Sequence, residues 1–286
     1  MSRALFAASR PLSWVNTAFP FAAAYVLTTR QVDAMLVVGT LFFLVPYNLA
    51  MYGINDVFDY ESDLRNPRKG GVEGAMLDRR MHRPILVAAV LSCLPFVVFL
   101  VIVGPPLSWL VLTVSLFAVA AYSVPGLRFK ERPFLDSITS SIHFVSPAIY
   151  GLVLAGAVFT TQLWAVLIAF LLWGIASHAF GAVQDVLADR EGEIASVATV
   201  IGAVATVRLS IVAYLLAGVC LLFSQWPGPL AALLVLPYAA VCAPFWNVSD
   251  AASATANRGW RRFLLINFIV GFAVTMLMIW WAALSN

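Results

Sequence analysis

Long apolar segments separated by short polar loops dominate the hydrophobicity pattern of this chain. The segments show continuous apolar character rather than alternation, and most reach the roughly 17–25 residues that a helix needs to cross a bilayer. They lie at about 13–29, 34–55, 84–103, 107–124, 136–157, 162–184, 208–225, 229–247 and 263–284. The pattern therefore predicts an all-α polytopic membrane protein with nine transmembrane helices.

The composition supports an integral membrane protein and excludes an ordinary soluble domain. Of the 286 residues, 62% are hydrophobic and only 11% are charged. The three cysteines lie inside apolar segments without metal-site spacing, so we interpret them as small buried hydrophobes. We expect one transmembrane domain over residues 1–286, embedded in the lipid bilayer and without a nucleic-acid partner.

The basic residues are distributed asymmetrically between the predicted loops. If the N-terminus is cytoplasmic, the loops on its side of the membrane carry 16 of the 17 lysines and arginines, and only Arg30 lies on the other side. Cytoplasmic loops are enriched in lysine and arginine. The asymmetry predicts that the longer loops, near 56–83, 125–135, 185–207 and 248–262, are cytoplasmic, which places the protein in the cytoplasmic membrane.

Two acidic runs, at 55–63 and 184–191, end the second and sixth segments at this predicted cytoplasmic side. Carboxylates at a helix C-terminus are disfavoured by the helix dipole, so such clusters indicate bound cations rather than ordinary surface charge. Carboxylate oxygens suit Mg²⁺, which commonly also holds substrate phosphates. On a helix, Asn55, Asp59 and Asp63 step by four residues and share a face, as do Asp185 and Asp189. The candidate metal ligands are Asp56, Asp59, Asp63, Asp185 and Asp189.

The two motifs also hint at an internal repeat, because they end the second and sixth spans and read similarly. Two parallel four-helix repeats plus a ninth helix would bring both motifs across one central cavity. This arrangement predicts an intramembrane diphosphate site that opens to the cytoplasm.

Several further side chains are candidates for binding the substrate. Arg68 and Lys130 follow the first motif and the fourth span, and we interpret them as diphosphate contacts rather than orientation signals alone. Tyr122 is one of the aromatic residues that could shield a carbocation. His143 and His178 lie within spans, where packing is the commoner role for a histidine.

The motifs taken together resemble those of the UbiA superfamily of intramembrane prenyltransferases. The run that starts at Asn55 is similar to its Asn-Asp-x-x-Asp-x-x-x-Asp signature, and the run that starts at Asp185 is similar to its Asp-x-x-x-Asp motif. Residues 122–130 resemble its Tyr-Ser/Thr-x-Pro-x-x-Arg-x-Lys stretch, and Arg83-Pro84 resembles the start of its third helix. The sequences around both motifs look most like the lycopene elongase branch. Residue 126 is glycine where many relatives have a second proline, and Glu193 stands where many quinone-pathway relatives have aspartate.

The resemblance implies a mechanism and assigns roles to residues. Asp59, Asp63, Asp185 and Asp189 would be catalytic, with two Mg²⁺ ions bridging the diphosphate, while Asn55, Arg68, Lys130 and Tyr122 would bind substrate. The donor would be dimethylallyl diphosphate and the acceptor lycopene, with the final cation hydrated or deprotonated.

Two alternatives stay open at this point. The acceptor could be another lipophilic molecule, such as a quinone precursor, a glycerol ether lipid or a chlorophyllide. A cation-coupled transporter is the alternative of a different class, which helices broken at mid-membrane would favour. The sequence shows no obvious break of that kind.

Overall fold

The computed structural model describes residues 2–64 and 78–285, with the backbone alone for Ser2, Ser62 and Asp63. All regular structure within these residues is helical. Eight helical segments in this part of the chain are long and apolar enough to cross a membrane. The prediction of an all-α polytopic membrane protein is therefore confirmed.

The first of the nine predicted spans does not reach this length. It folds as a helix of 15 residues, Val15–Thr29, which follows a 3₁₀ turn at Pro11–Ser13. Arg10, directly before that turn, has a left-handed backbone with φ 48°. Trp14 lies between the 3₁₀ turn and the helix and caps both, so the helix begins two residues later than the apolar pattern predicts.

The chain divides into two compact units, Met1–Phe129 with Ile142–Ala157, and Lys130–Ser141 with Val158–Asn286. Each acidic motif lies in a different unit. One helix, which we call α8, contributes residues 135–141 to the second unit and the remainder to the first. The helices of the first unit are α1 (Ser2–Ala8), α2 (Val15–Thr29), α3 (Ala34–Leu44), α4 (Pro46–Phe58), α5 (Tyr60–Asp63), α6 (His82–Val103), α7 (Pro106–Ser123) and α8 (Leu135–Leu154).

A break between α3 and α4 sets the direction of the helix that carries the first acidic motif. Pro46 has no backbone N–H and opens the new helix at its first position. The freed carbonyls find side-chain partners, because the buried amide of Asn48 donates to the carbonyl oxygens of Phe43 (2.8 Å) and Leu44 (3.1 Å). The hydroxyl of Thr17 also donates to Phe43 O, at 2.7 Å. Satisfying these groups is obligatory in an apolar environment.

Buried aromatic rings form the core of the first unit. Phe21 of α2 lies 5.2 Å from Phe43 of α3, and Phe43 lies 5.8 Å from Tyr150 of α8, measured between ring centroids. Gly39 permits the close approach of α2 and α3, since a Cβ atom there would lie 2.1 Å from Phe21. The rings thus pack α2, α3 and α8 against one another in the first unit.

The second unit contains three long helices joined by shorter elements. Its elements are α9 (Thr161–Val183), α10 (Val186–Glu191), α11 (Val197–Leu221), α12 (Leu236–Cys242) and α13 (Asn257–Leu284), with 3₁₀ segments at Gly228–Val235, Ala243–Phe245 and Asp250–Ala256. Tyr214 of α11 stacks on Tyr238 of α12 with centroids 5.3 Å apart, and its hydroxyl lies 3.0 Å from Ser177 Oγ of α9. These contacts join three elements of the unit.

Two predicted spans have different bounds from those expected. The seventh begins at Val197 rather than near 208, because Ser196 and Thr199 form a capping box that starts the helix earlier. The eighth, at 229–247, is a 3₁₀ segment, a short α-helix and a second 3₁₀ turn. This segment and the span that contains Pro46 are therefore interrupted helices, and each new element has at its first or second position a proline, which cannot donate a backbone hydrogen bond.

Candidate active site

The first acidic motif lies at the C-terminal end of α4. Asp56 is in the last turn and Asp59 caps the helix, with its backbone N–H bonded to Asn55 O at 2.9 Å. Only 2% of Asp56 and 6% of Asp59 are exposed. Two carboxylates are thus buried at the end of a helix where the dipole opposes negative charge, so this position favours nearby cations.

One cation at this position comes from the chain itself. Arg10 Nη2 donates to Asp56 Oδ1 at 2.6 Å, and the Arg10 guanidinium lies 4.4 Å from the centre of the Tyr52 ring. The sequence analysis did not single out Arg10 as a site residue. Because 46 positions separate it from Asp56, no local pattern pointed to the pair.

The end of α7 contacts the first motif. Ser123, the last residue of α7, donates its hydroxyl to Asn55 Oδ1 at 2.9 Å. Because the side-chain oxygen of Asn55 accepts this hydrogen bond, the Nδ2 group of Asn55 remains as a donor that can face a phosphate. Tyr122 packs edge-on against His143, with centroids 5.4 Å apart, so the aromatic side chain is held close to this helix end.

Two predicted site residues, one in the first motif and one just after it, are not described by the structure. The side chain of Asp63 and all of Arg68 lie outside the described part of the structure. Their assignments as catalytic and diphosphate-binding residues stay predictions.

The second acidic motif lies in a turn between α9 and α10. Gln184 caps α9, Asp185 precedes α10, and Asp189 lies within it. The Asp189 N–H bonds to Asp185 O at 2.8 Å, so the two acids remain one turn apart although the long helix has ended. Both side chains are half-buried, which leaves their oxygens positioned between the protein interior and the surface.

Lys130 belongs to the same unit as the second motif and is close enough to interact with it. The side chain is only 12% exposed, and its Nζ lies 3.9 Å from Glu131 Oε1. Burial lowers the pKa of Lys130 from 10.5 to about 8, against the opposing charges of Glu131 and Asp189. A buried ammonium group beside an acidic motif is a suitable contact for a phosphate.

A residue that the sequence analysis missed anchors the short helix of the second motif. Asp250 accepts a hydrogen bond from Arg190 Nη1 at 2.7 Å, and its other oxygen accepts from the backbone N–H of Ala203, also at 2.7 Å. Arg190 Nη2 donates to Thr199 O at 2.9 Å. These bonds tie α10 to the start of α11 at Gly202, where a φ of 81° breaks the helix. Asp250 is therefore a positioning residue for Asp189.

The start of α8 provides a second anchor in this unit. Asp136 is fully buried, and its Oδ2 accepts from the backbone N–H of Val197 at 2.8 Å. The adjacent Ser137 Oγ lies 3.1 Å from His178 Nδ1. His178, which the sequence placed within a span, is thus held between helices, which agrees with the packing role expected for it.

The donor chemistry of each acidic motif fits a hard divalent cation. Asp56 and Asp59 supply carboxylate oxygens in the first unit, and Asp185 and Asp189 supply them in the second. Oxygen ligands of this kind are typical of Mg²⁺ sites. Within residues 2–64 and 78–285 no group of three or more carboxylate, imidazole or thiol side chains is arranged to hold a metal ion. The side chain of Asp63 lies outside the described residues.

Comparison with protein families identifies one match that covers most of the chain. A model of the UbiA prenyltransferase family matches residues 17–269. This range includes most of α2, all of α3 to α12, both acidic motifs and Lys130.

Two bacterial relatives are similar over almost the whole chain. A Dietzia protein described as a C(50) beta-cyclic carotenoids biosynthesis protein is 58% identical over 96% of this chain, and the match spans 64% of that longer relative. A Corynebacterium glutamicum protein named lycopene elongase/hydratase is 52% identical, with 97% of this chain and 96% of the relative covered.

A solved structure shares the fold. The UbiA homologue from Archaeoglobus fulgidus bound to dimethylallyl diphosphate and Mg²⁺ superposes with a TM-score of 0.68 at 17% identity, over 93% of this chain and 98% of that one. At that identity the similarity establishes the architecture.

Proposed function

The chain belongs to the UbiA prenyltransferase family, and from this premise we propose that it transfers a dimethylallyl group from dimethylallyl diphosphate to the ends of lycopene. The observation that carries the proposal is the 52–58% identity, over 96–97% of this chain, to proteins named for lycopene elongation and C(50) carotenoid biosynthesis. The product would be a precursor of C(50) carotenoids. Family membership also argues against the transporter alternative, despite the broken helices.

Residues of both motifs have roles in the proposed binding of the donor. Asp56, Asp59, Asp63, Asp185 and Asp189 would hold Mg²⁺, and the bound cation would neutralise negative charge on the diphosphate as it leaves. Lys130 and Arg68 would donate charge-assisted hydrogen bonds to the phosphate oxygens. Asn55, whose oxygen is engaged by Ser123, would donate from its Nδ2.

The reaction follows from the electronic properties of the two substrates. The bond between the allylic carbon and the diphosphate oxygen breaks, and the diphosphate leaves with the electron pair. The π electrons of a terminal lycopene alkene then form the new carbon–carbon bond. This leaves a tertiary cation on the acceptor, which loses a proton or is captured by water. Aromatic rings such as Tyr122 would stabilise the cations by cation–π contact.

The membrane-spanning architecture suits these substrates. Lycopene is insoluble in water, and an allylic cation must be protected from bulk solvent until the acceptor attacks. We propose that both units act as one prenyltransferase domain in the cytoplasmic membrane. The basic loops, with 16 of the 17 lysines and arginines, support a site that opens to the cytoplasm, where the soluble donor is available.

The test is a direct assay of the purified protein. Isotopically labelled dimethylallyl diphosphate, Mg²⁺ and lycopene should yield a labelled carotenoid that carries one or two added prenyl groups, and omitting lycopene should abolish it. Asp59→Ala serves as the inactive control. Label that appears only in a quinone precursor, a glycerol ether lipid or a chlorophyllide would overturn the lycopene assignment, and no transfer to any acceptor would overturn prenyl transfer.

A further inference from the structure

A cleft in the second unit has features that the proposed reaction does not use. It lies between the segment at 243–248 and the first turns of α13 and has a volume of about 480 Å³. This is within the range of roughly 300–1,000 Å³ that is common for small-molecule sites. Its lining includes Trp246, Asn247, Arg258 and Arg262, and none of its lining residues belongs to either acidic motif.

The cleft is positively charged. Arg258 and Arg262 form no ion pair with any residue of the described ranges, 2–64 and 78–285. A third arginine, Arg208, donates from Nη2 to Asn247 Oδ1 at 2.9 Å, and its guanidinium lies 5.0 Å from the Trp246 ring centre. The nearby carboxylate of Asp250 is already paired with Arg190. Asp250 therefore does not neutralise the positive charges of Arg258 and Arg262 in the cleft.

An apolar surface continues from the cleft along α13. Residues seven positions apart on a helix are separated by about two turns and lie near the same face. Leu265 and Phe272 follow Arg258 at this spacing, and Ile269 follows Arg262. These three apolar side chains are 64–67% exposed in a helix long and apolar enough to span the membrane. Arginines at the end of a lipid-facing stripe lie at the depth of lipid headgroups, and an exposed tryptophan such as Trp246 is typical of that interface.

We propose that this cleft binds the phosphate headgroup of an anionic phospholipid, with Arg258 and Arg262 as its phosphate ligands. Guanidinium groups bind phosphate oxygens through paired, charge-assisted hydrogen bonds. An acyl chain of the same lipid would lie along Leu265, Ile269 and Phe272. A free phosphate or diphosphate would satisfy the arginines but would make no use of the apolar stripe, and this continuity of basic and apolar surface favours a lipid.

The test compares lipid binding by matched arginine variants. The full chain, purified in an uncharged detergent, is titrated with phosphatidylglycerol or with phosphatidylcholine of the same acyl chains, and bound lipid is counted by native mass spectrometry. We expect phosphatidylglycerol to bind the wild-type protein at least tenfold more tightly than phosphatidylcholine. The double variant Arg258→Gln/Arg262→Gln should lose at least tenfold in affinity for phosphatidylglycerol.

Arg261→Gln is the matched control, because Arg261 is exposed on the same helix but does not line the cleft. It should bind phosphatidylglycerol within twofold of wild type. Arg258→Lys/Arg262→Lys keeps the charge but loses the paired guanidinium donors, so its affinity for phosphatidylglycerol should lie between those of wild type and the double glutamine variant. If Arg261→Gln lost as much affinity for phosphatidylglycerol as the double glutamine variant, the binding would be general charge attraction and the proposed site would be refuted. Displacement of the lipid by inorganic phosphate at equal concentration would assign the cleft to free phosphate instead. Because the readout is binding, neither result depends on the proposed prenyl transfer.

Discussion

Replacing Lys130 by methionine should stabilise the protein and impair its use of the donor. The lysine side chain is 12% exposed, and burial lowers its pKa from 10.5 to about 8. Each tenfold change in the protonation equilibrium is worth about 1.4 kcal/mol, so keeping this ammonium charged in the folded protein costs about 3.5 kcal/mol. Methionine has a similar length and carries no charge, so it should remove that cost.

The pH dependence of this stabilisation follows from the direction of the pKa change. Below about pH 8 Lys130 is protonated in both the folded and the unfolded chain, so the full cost is present. Between about pH 8 and 10.5 the folded protein releases its proton first, and the cost disappears. The increase in melting temperature of Lys130→Met over wild type should therefore be largest near pH 6.5 and should decrease towards pH 10, as measured by thermal unfolding in detergent.

The same substitution removes a proposed phosphate contact. Loss of a charged hydrogen bond worth about 1.5–3 kcal/mol should lower kcat/KM for dimethylallyl diphosphate by roughly ten- to a hundredfold. Arg261→Met, at an exposed position on α13, should leave both the melting temperature and kcat/KM near the wild-type values. If Lys130→Met is less stable than wild type at pH 6.5, or if the two variants have equal kcat/KM, the reasoning about Lys130 is wrong.

Three further predictions concern the metal site, its support and the topology. Asp59→Ala or Asp185→Ala should abolish turnover without unfolding the protein, as should EDTA, and full activity in any of these cases would contradict a metal-dependent site. Asp250→Ala removes the ion pair with Arg190 and should raise the Mg²⁺ concentration for half-maximal rate roughly three- to tenfold. The control Asp33→Ala removes the helix cap of α3 and should leave that concentration unchanged. Equal effects of the two substitutions would mean that Asp250 contributes only to the stability of the fold. Reporter fusions should place the N-terminus in the cytoplasm and the C-terminus outside, and reporters on the same side would refute the odd number of spans.

The sequence was informative wherever the signal is local. The length of the apolar segments predicted the membrane-spanning helices. The family was recognised from the spacing of Asn55, Asp59 and Asp185 at helix ends and from the residues around them, and the comparison then established it. The resemblance also assigned Tyr122 to substrate binding, whereas the hydrogen bond from the neighbouring Ser123 to Asn55 was not predicted. The predictions of the spans and of the family depend on composition, spacing and short motifs, all of which can be read directly from the sequence.

The helix boundaries were less predictable because prolines and caps compete with apolar length. Ser196 starts α11 eleven residues before the predicted span, and the segment Gly228–Val235 is 3₁₀ rather than α-helical. An apolar stretch fixes how much chain can lie in the membrane. It does not fix where backbone hydrogen bonds begin, end or change their pattern.

The partners of the site residues were decided by the tertiary structure alone. Arg10 meets Asp56 across 46 positions, and Arg190 meets Asp250 across 60. In a soluble protein the apolar stripe of a helix indicates which face is buried. Here lipid tails are as apolar as the protein interior, so hydrophobicity does not distinguish a face that packs on another helix from a face that meets lipid. Which helix ends meet, and therefore which cation lies beside which carboxylate, is fixed by side-chain packing between helices that are distant in sequence.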